Sequence, residues 1–227
     1  MPDWNKKTGV FSLSLILAGF GAAAAALLAW TAGATAPAID AAKQKAENIA
    51  LLQLLPEGVA NVPSACSAEK DGVTFFGGFN ADGELIGVVG KSSEKGYGGD
   101  VEILVGLDLD GSVRSVAPGR SAVLAGKNSE TPGLGSTVLE RKTVRTILDP
   151  FPEEEGVAPN PVLDQFAGHS WVGTEWKVEK DGGEFIYRTG ATVTSRAVTR
   201  AAGRIAKTFI GGREALMAEM REKNGIR

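Results

Sequence analysis

From Val10 to Thr31 the chain reads VFSLSLILAGFGAAAAALLAWT, 22 consecutive residues without a charge. As a helix this run covers about 33 Å, close to the hydrocarbon thickness of a bilayer, and it is predicted to cross a membrane once. Trp4 and Trp30 stand near its two ends, where aromatic rings suit the interface. Apolar residues then recur at helical spacing, Ile39, Ala42, Ala46, Ile49 and Leu52, until Pro56-Glu57-Gly58. This predicts a helical stalk. Next come two apolar stretches with turn residues at their centres: VTFFGGFNADGELIGVVG turns at Asp82-Gly83, and VEILVGLDLDGSVRSVAP at Asp110-Gly111. Both read as hairpins of an antiparallel sheet. STVLERKTVRTILD reads as a short helix before the acidic loop DPFPEEEGVAPNP, and WVGTEWKVEKDGGEFIYRT as strand, turn and strand around Asp181-Gly182-Gly183. The pattern predicts an α+β domain, an antiparallel sheet with helices packed on it, behind a membrane helix and a stalk. The expected divisions are 1–9, a cytoplasmic N-terminus; 10–31, the transmembrane helix; 32–60, the stalk; and 61–227, the exported domain.

Charge sets the expected orientation. Lys6, Lys7 and the amino terminus precede the span, whereas Lys43 and Lys45 follow it in the company of Asp40 and Glu47. The positive-inside rule therefore places the N-terminus in the cytoplasm and, in a bacterium, the bulk of the chain in the periplasm, held by a single pass through the inner membrane. Ala34-Thr35-Ala36 has the form of a signal-peptidase site, but Pro37 follows at once and obstructs cleavage, which favours a retained anchor. A net charge of -3 offers no broad positive field for phosphate backbones, so nucleic acid is not an expected partner. The single cysteine, Cys66, excludes an intrachain disulfide and reads as a small buried hydrophobe; the single histidine, His169, excludes a multi-histidine metal centre and leaves hydrolase chemistry poorly supported. Glu153-Glu154-Glu155 reads as a solvated loop.

The segment RTGATVTSRAVTRAAGR, residues 188–204, carries five hydroxyl side chains around the start of a helix. At 100° per residue, Arg196, Arg200, Arg204 and Lys207 fall within about 80° of one another, opposite Ala197, Val198, Ala201, Ala202, Ile205 and Phe209. The helix is expected to begin at a Thr194 or Ser195 cap and to end at Gly211-Gly212. Two readings of the hydroxyls stand side by side. They cap a helix, or the helix start holds a phosphate by its backbone N–H groups near Gly190-Ala191-Thr192, with Arg196 adding charge. An unactivated threonine hydroxyl is no nucleophile, so a bond at Thr192 requires another enzyme.

The TGAT segment followed by VTSRAV resembles the flavinylation motif of the FMN-binding domain family, in which a flavin transferase joins FMN through its phosphate to the last threonine. That residue is Thr192 here, with Thr189, Gly190, Ala191 and Ser195 around it. ETPGLGS, residues 130–136, resembles the family's flavin-pocket loop, and GYGGDVEILVGLDLDG, residues 96–111, its glycine-rich segment and following strands; DQFAGHS and KDGGEF also occur in the family's order. The likeness covers nearly the whole chain and is strongest to the G-type branch from Rnf ion-translocating complexes, with the C-type branch from sodium-pumping NADH:quinone reductases as its neighbour. It implies covalent FMN on Thr192; cofactor-binding loop residues Glu130 and Gly133, with ring contacts from Thr131, Leu134 and Tyr97; and electron relay within a membrane complex of ferredoxin/NAD type that moves ions. Its implied partners are the other subunits of that complex and the flavin transferase. Two positions depart from the family pattern: Ile186 stands where an acidic residue is usual, six before the threonine, and Asn128 where histidine often precedes the glutamate of the loop. Three alternatives remain: a C-type component of a sodium-pumping NADH:quinone reductase, a membrane-anchored FMN-binding module without redox turnover, and a structural component whose hydroxyls only cap a helix.

Overall fold

Alanine, leucine and other strong helix formers dominate the first fifty residues, and in the computed structural model they form one uninterrupted helix, α1 (Lys6–Leu54), that carries Pro37 within it. The structure describes residues 6–128, 135–141 and 159–225. Among them, one helix is long and apolar enough to cross a membrane, and Leu13, Leu17, Phe20, Leu28 and Trp30 project from it, each about 70% exposed. Pro56 follows the end of α1, because proline disfavours helical backbone in the residue before it. Chain contacts divide the molecule into two units, Met1–Ala46 and Glu47–Arg227, so the last turns of α1 belong to the second unit.

The second unit is built on a five-stranded antiparallel sheet in the order β1-β2-β3-β4-β7, comprising β1 (Ser67–Lys70), β2 (Val73–Phe79), β3 (Leu85–Lys95), β4 (Asp100–Leu107) and β7 (Val123–Asn128). Alternation along the strands sends Phe75, Val88, Ile103 and Val105 to one face and Phe76, Val89 and Leu104 to the other, and both faces are buried. Leu51, Leu54 and Leu55 cover the second face. The first is covered by α4 (Thr192–Lys223), through Ala197, Val198, Ala201, Ala202, Ile205, Ala206 and Phe209, none of which retains solvent exposure. Two-sided burial explains why the strands read as nearly continuous apolar runs. Strand glycines allow the close approach: a side chain at Gly90 would collide with Ile205, and one at Gly106 with the carbonyl of Leu54.

The first expected hairpin forms as read, β2 to β3 across Asp82-Gly83. The second forms its turn, with Asp110 Oδ1 accepting from the N–H of Ser112 at 2.9 Å and from its hydroxyl at 2.7 Å. The chain beyond it leaves the main sheet for a two-stranded one, β5 (Ser115–Ala117) and β6 (Arg120–Ser121), and β4 pairs with β7 instead. The expected strands around Asp181-Gly182-Gly183 do not form. Val178 and Phe185 meet in an isolated parallel bridge around a 3-10 turn, Glu179–Asp181, and a side chain at Gly183 would strike the Lys177 carbonyl, a loop tighter than a hairpin allows. Of the helix expected in STVLERKTVRTILD, α2 (Ser136–Leu139) is described and residues 142–150 lie outside the described residues, as does Glu153-Glu154-Glu155.

Gly211-Gly212 do not end α4. Leu216 and Met220 beyond them are buried against the sheet, and that burial outweighs the roughly 1 kcal/mol that each helical glycine costs. Gly212 leaves room for the Lys70 side chain, whose Nζ donates to the Gly211 carbonyl at 3.0 Å.

A buried polar junction ties the remaining segments together. Asn160 caps α3 (Pro161–Asp164): its Oδ1 accepts from the N–H groups of Val162 and Leu163, while its Nδ2 donates to the carbonyls of Val138 and Glu140, both at 2.9 Å. Asp164 accepts from the Asn160 N–H at 2.6 Å and pairs with Arg141 at 2.7 Å, with 8% and 6% of the two side chains exposed. Arg141 Nε donates to the Val123 carbonyl at 2.8 Å, and the Ser121 hydroxyl donates to the Leu163 carbonyl. Burial lowers the Arg141 pKa, and the Asp164 carboxylate opposes that shift.

Asp164→Asn leaves the guanidinium of Arg141 buried without its counter-charge, a loss of about 3 kcal/mol or more. Thermal melts should fall by roughly 6–12 °C. Gly211→Ala, whose new methyl meets no atom within 4 Å, should raise the melting temperature by about 2–4 °C through helix propensity. Gly203→Ala should lower it, since its methyl would sit 2.8 Å from Cγ of Trp176.

Candidate functional site

The stretch that leads into α4 is anchored from below by aromatic packing. Phe185 lies 4.8 Å from Phe166, 5.2 Å from Trp176 and 5.1 Å from His169 between ring centroids, and Trp176 stacks on Phe166 with planes 12° apart. The indole of Trp176 also presses on Gly203, so this helical glycine is explained by the close approach of an aromatic ring. The lone histidine is thus a packed side chain, and its carbonyl accepts from the Val113 N–H at 2.8 Å. Cys66 is buried as expected, with its Sγ 3.4 Å from Asn224 Oδ1.

Past Phe185 the chain becomes exposed and is held by main-chain hydrogen bonds. Gln165 Oε1 accepts from the Ile186 N–H at 2.6 Å, and Gln165 Nε2 donates to the Ile186 carbonyl at 3.1 Å. The Arg188 N–H donates to the Ser195 hydroxyl at 3.2 Å, and the Ala191 N–H closes a turn on the Arg188 carbonyl at 3.0 Å. Gly190 adopts φ +85°, the left-handed region that favours glycine. Thr189 and Gly190 are exposed, Ala191 is buried, and Thr192, half-buried, opens α4.

The N-cap is Ala191, and no side chain among the described residues caps the helix. Neither Thr194 nor Ser195 plays that role: both are fully buried inside the first turn. The Ser195 hydroxyl donates back to the Ala191 carbonyl at 3.0 Å while it receives the Arg188 N–H, so its capacity is spent on shaping the loop. The Ser195 N–H is bonded to the Ala191 carbonyl at 3.0 Å. The N–H groups of Thr192 and Val193 come before it, at the positive end of a 32-residue helix, where such groups have no intrahelical acceptor.

Arg196 stands one turn below Thr192 on the same face. Its guanidinium forks onto Asp181, Nε to Oδ2 at 2.6 Å and Nη2 to Oδ1 at 2.5 Å. The hydrogen bond from Arg196 lowers the Asp181 pKa, and Asp181 in turn raises that of Arg196. Two more residues of the basic stripe are engaged: Arg204 pairs with Glu94, and Lys207 lies over the ring of Trp171 at 5.4 Å. A groove of about 310 Å3 flanks α4 from Arg196 to Arg200, walled by Trp176, Val178, Asp181 and Thr199. A larger one, about 790 Å3, opens around Gly211 and Gly212, some five turns down the helix from Thr192, and has no bearing on it.

Among the residues picked out in the sequence, Thr189, Gly190, Ala191, Thr192 and Ser195 come together at the start of α4. Tyr97 lies in the turn between β3 and β4, 85% exposed. Glu130, Thr131, Gly133 and Leu134 lie outside the described residues. The sequence alone does not single out Gln165 or Trp176, and it gives Asp181 only a place in a turn. A glutamine inside Val-Leu-Asp-Gln-Phe shows no sign of a partner 21 residues away; the helical glycine at 203 is the one visible hint that a large side chain crosses there.

The donors and open approach at Thr192 fit the phosphate end of FMN: a threonine hydroxyl at an uncapped helix start, a glycine turn before it and an arginine one turn on. The family model for the FMN-binding domain matches residues 96–207, a stretch that includes β4, β7, α3 and the first half of α4. The G subunit of the ion-translocating oxidoreductase complex of Vibrio vulnificus (strain YJ016) is 30% identical over 200 residues, 82% of this chain and 83% of the relative. Its counterpart in Pseudomonas aeruginosa (strain UCBPP-PA14) is 28% identical over 219 residues, 90% of this chain and 91% of the relative. That of Cereibacter sphaeroides is 28% identical over 231 residues, 96% of this chain and 91% of the relative. With this likeness covering 82–96% of its length, the chain belongs to the family of G subunits of ion-translocating oxidoreductase complexes.

Proposed function

We propose that this chain is the electron-carrying flavoprotein component of an ion-translocating membrane complex, with FMN joined through its phosphate to Thr192. The observation that carries the reading is the uncapped start of α4, where a half-buried threonine hydroxyl opens the helix beside an exposed glycine turn, within a segment that matches the FMN-binding domain. Attachment condenses the threonine hydroxyl with the phosphate, with net loss of one water. Among the described residues around Thr192, none is available to activate its hydroxyl: Ser195 is committed to Arg188 and Ala191, and the Asp181 carboxylate is occupied by Arg196. A separate flavin transferase must therefore supply the chemistry of attachment.

When bound, FMN supplies one- and two-electron redox chemistry, and attachment through its phosphate leaves the ring unmodified. The protein's part is to hold and place it. The N–H groups of Thr192 and Val193 and the helix dipole stabilise a phosphodiester anion, and Arg196 lies within reach of the same charge. Glu130, Thr131, Gly133, Leu134 and Tyr97 complete the pocket around the ring in this reading. A single cysteine cannot hold an iron–sulfur cluster, so electrons enter and leave through the other subunits of the complex. The apolar run of α1 is the anchor in the bacterial inner membrane, with residues 61–227 on the periplasmic side. Lys6, Lys7 and the amino terminus beside the start of the span support that orientation.

Full-length protein from the source cell, with its flavin transferase active, should run as a fluorescent band after denaturation. The tryptic peptide that contains Thr192 should carry the mass of FMN less one water, and Thr192→Ala should lose both signals while its melting temperature stays within a few degrees. An unmodified wild-type peptide refutes the reading; a modified one whose complex turns over equally well with Thr192→Ala refutes the electron-carrier role. Because the Asp181 pKa is lowered, its pairing with Arg196 is fully present above the ordinary aspartate value of 3.8 and lost as pH falls through the lower folded value. A carboxyl titration followed by NMR should place the Asp181 midpoint below 3.8 and return it towards that value in Arg196→Gln.

A further inference from the structure

We infer that Gln165 is a positioning residue for Thr192: its carboxamide fixes the backbone of Ile186 and thereby sets the loop that presents the threonine hydroxyl at the start of α4. The inference rests on the reading of Thr192 as the residue that bears FMN. The carboxamide is fully used. Its oxygen takes the Ile186 N–H at 2.6 Å, and its nitrogen gives one hydrogen to the Ile186 carbonyl at 3.1 Å and the other to the Val162 carbonyl at 2.8 Å. The bond to Val162 fixes which way the amide faces, so the two bonds to Ile186 form in one register only. Gln165 is itself held firmly, between the fully buried Phe166 and an Asp164 locked to Arg141.

Beyond the clamp, little else restrains the loop. Ile186, Arg188, Thr189 and Gly190 are exposed, and Tyr187 is half-buried, so side-chain packing does not set their path. The next fixed points are the Arg188 N–H on Ser195 and the Ala191 N–H on Arg188, which close the short turn into Thr192. Gln165 at one end and Ser195 at the other thus hold both ends of the strap 186–190, just before the buried Ala191. Exposed hydrogen bonds of this kind add little to global stability, but they decide the conformation of a segment with no core of its own. A modifying enzyme meets that conformation, since an ordered loop has no ordering entropy left to lose on recognition.

The clamp needs a carboxamide of this length. Glutamate accepts from the Ile186 N–H but cannot donate to its carbonyl, leucine does neither, and asparagine falls one methylene short. The test follows the full-length chain in source-cell membranes after induction of the flavin transferase. Samples taken over time are scored for the FMN mass on the Thr192 peptide and for in-gel fluorescence. Gln165→Leu should load about tenfold more slowly than wild type, a difference of about 1.4 kcal/mol. Gln165→Glu should fall between the two, and the melting temperatures of both should stay within a few degrees of wild type. Ile103→Val, which trims the buried sheet and leaves the clamp intact, should load at the wild-type rate. Equal loading in all Gln165 variants overturns the inference while the reading of Thr192 stands; a wild-type chain that never gains the mass overturns that reading itself. Slowing of Ile103→Val to the same degree marks a general stability effect and also overturns the inference. Should Gln165→Leu fail to fold, Gln165→Glu decides: slower loading with faster amide exchange at Ile186 supports the clamp, and wild-type values for both overturn it.

Discussion

The seating of α4 on the sheet is the contact on which the rest of this domain depends. Ile205 settles over Gly90, Phe209 packs 5.7 Å from Phe75, and a row of alanines brings the helix close to the strands along its middle. A helix held that tightly has a fixed axis and a fixed rotation, because a shift of one residue would turn its basic stripe into the core. The position of its first residue follows. Thr192 lies where it does because Ile205 and Phe209, thirteen and seventeen residues on, fit the sheet in only one way.

Around that helix the protein replaces regular structure with a chain of side-chain ties. Asn160, Asp164 and Gln165 sit within six residues. They reach respectively to the end of α2 and the residue after it, to Arg141 next along the chain, and to the loop before α4. One short helix thus ties together two stretches, 138–141 and the loop before α4, that share no backbone ladder. The arrangement gives the domain a rigid frame of two-sided sheet and helix, with an exposed strap hung from it by a few hydrogen bonds.

The frame is largely legible in the sequence. Twenty-two uncharged residues, the apolar runs on either side of Asp82-Gly83 and the opposed faces of residues 196–209 each carry one dominant physical signal, and the structure follows them. Expectation and structure part where long-range packing overrides a local preference. Gly211-Gly212 has the composition of a helix end, but the burial of Leu216 and Met220 keeps the helix intact, and the serine and threonines at its start are poor guides because Ser195 serves the loop and not the cap. Asp181-Gly182-Gly183 resembles a hairpin turn, and only the close approach of Gly183 to Lys177 shows why two strands cannot flank it. Thr192 is visible through a motif, whereas the contacts of Gln165 and Asp181 depend on chain crossings that no local spacing encodes.

The hydrogen bonds that shape residues 186–195 are made between protein atoms, from Gln165 to Ile186 and from Ser195 to Arg188 and Ala191. The start of α4 is therefore shaped by the polypeptide alone. Loop and first turn close on each other as the domain folds, and whatever meets Thr192 meets a finished surface.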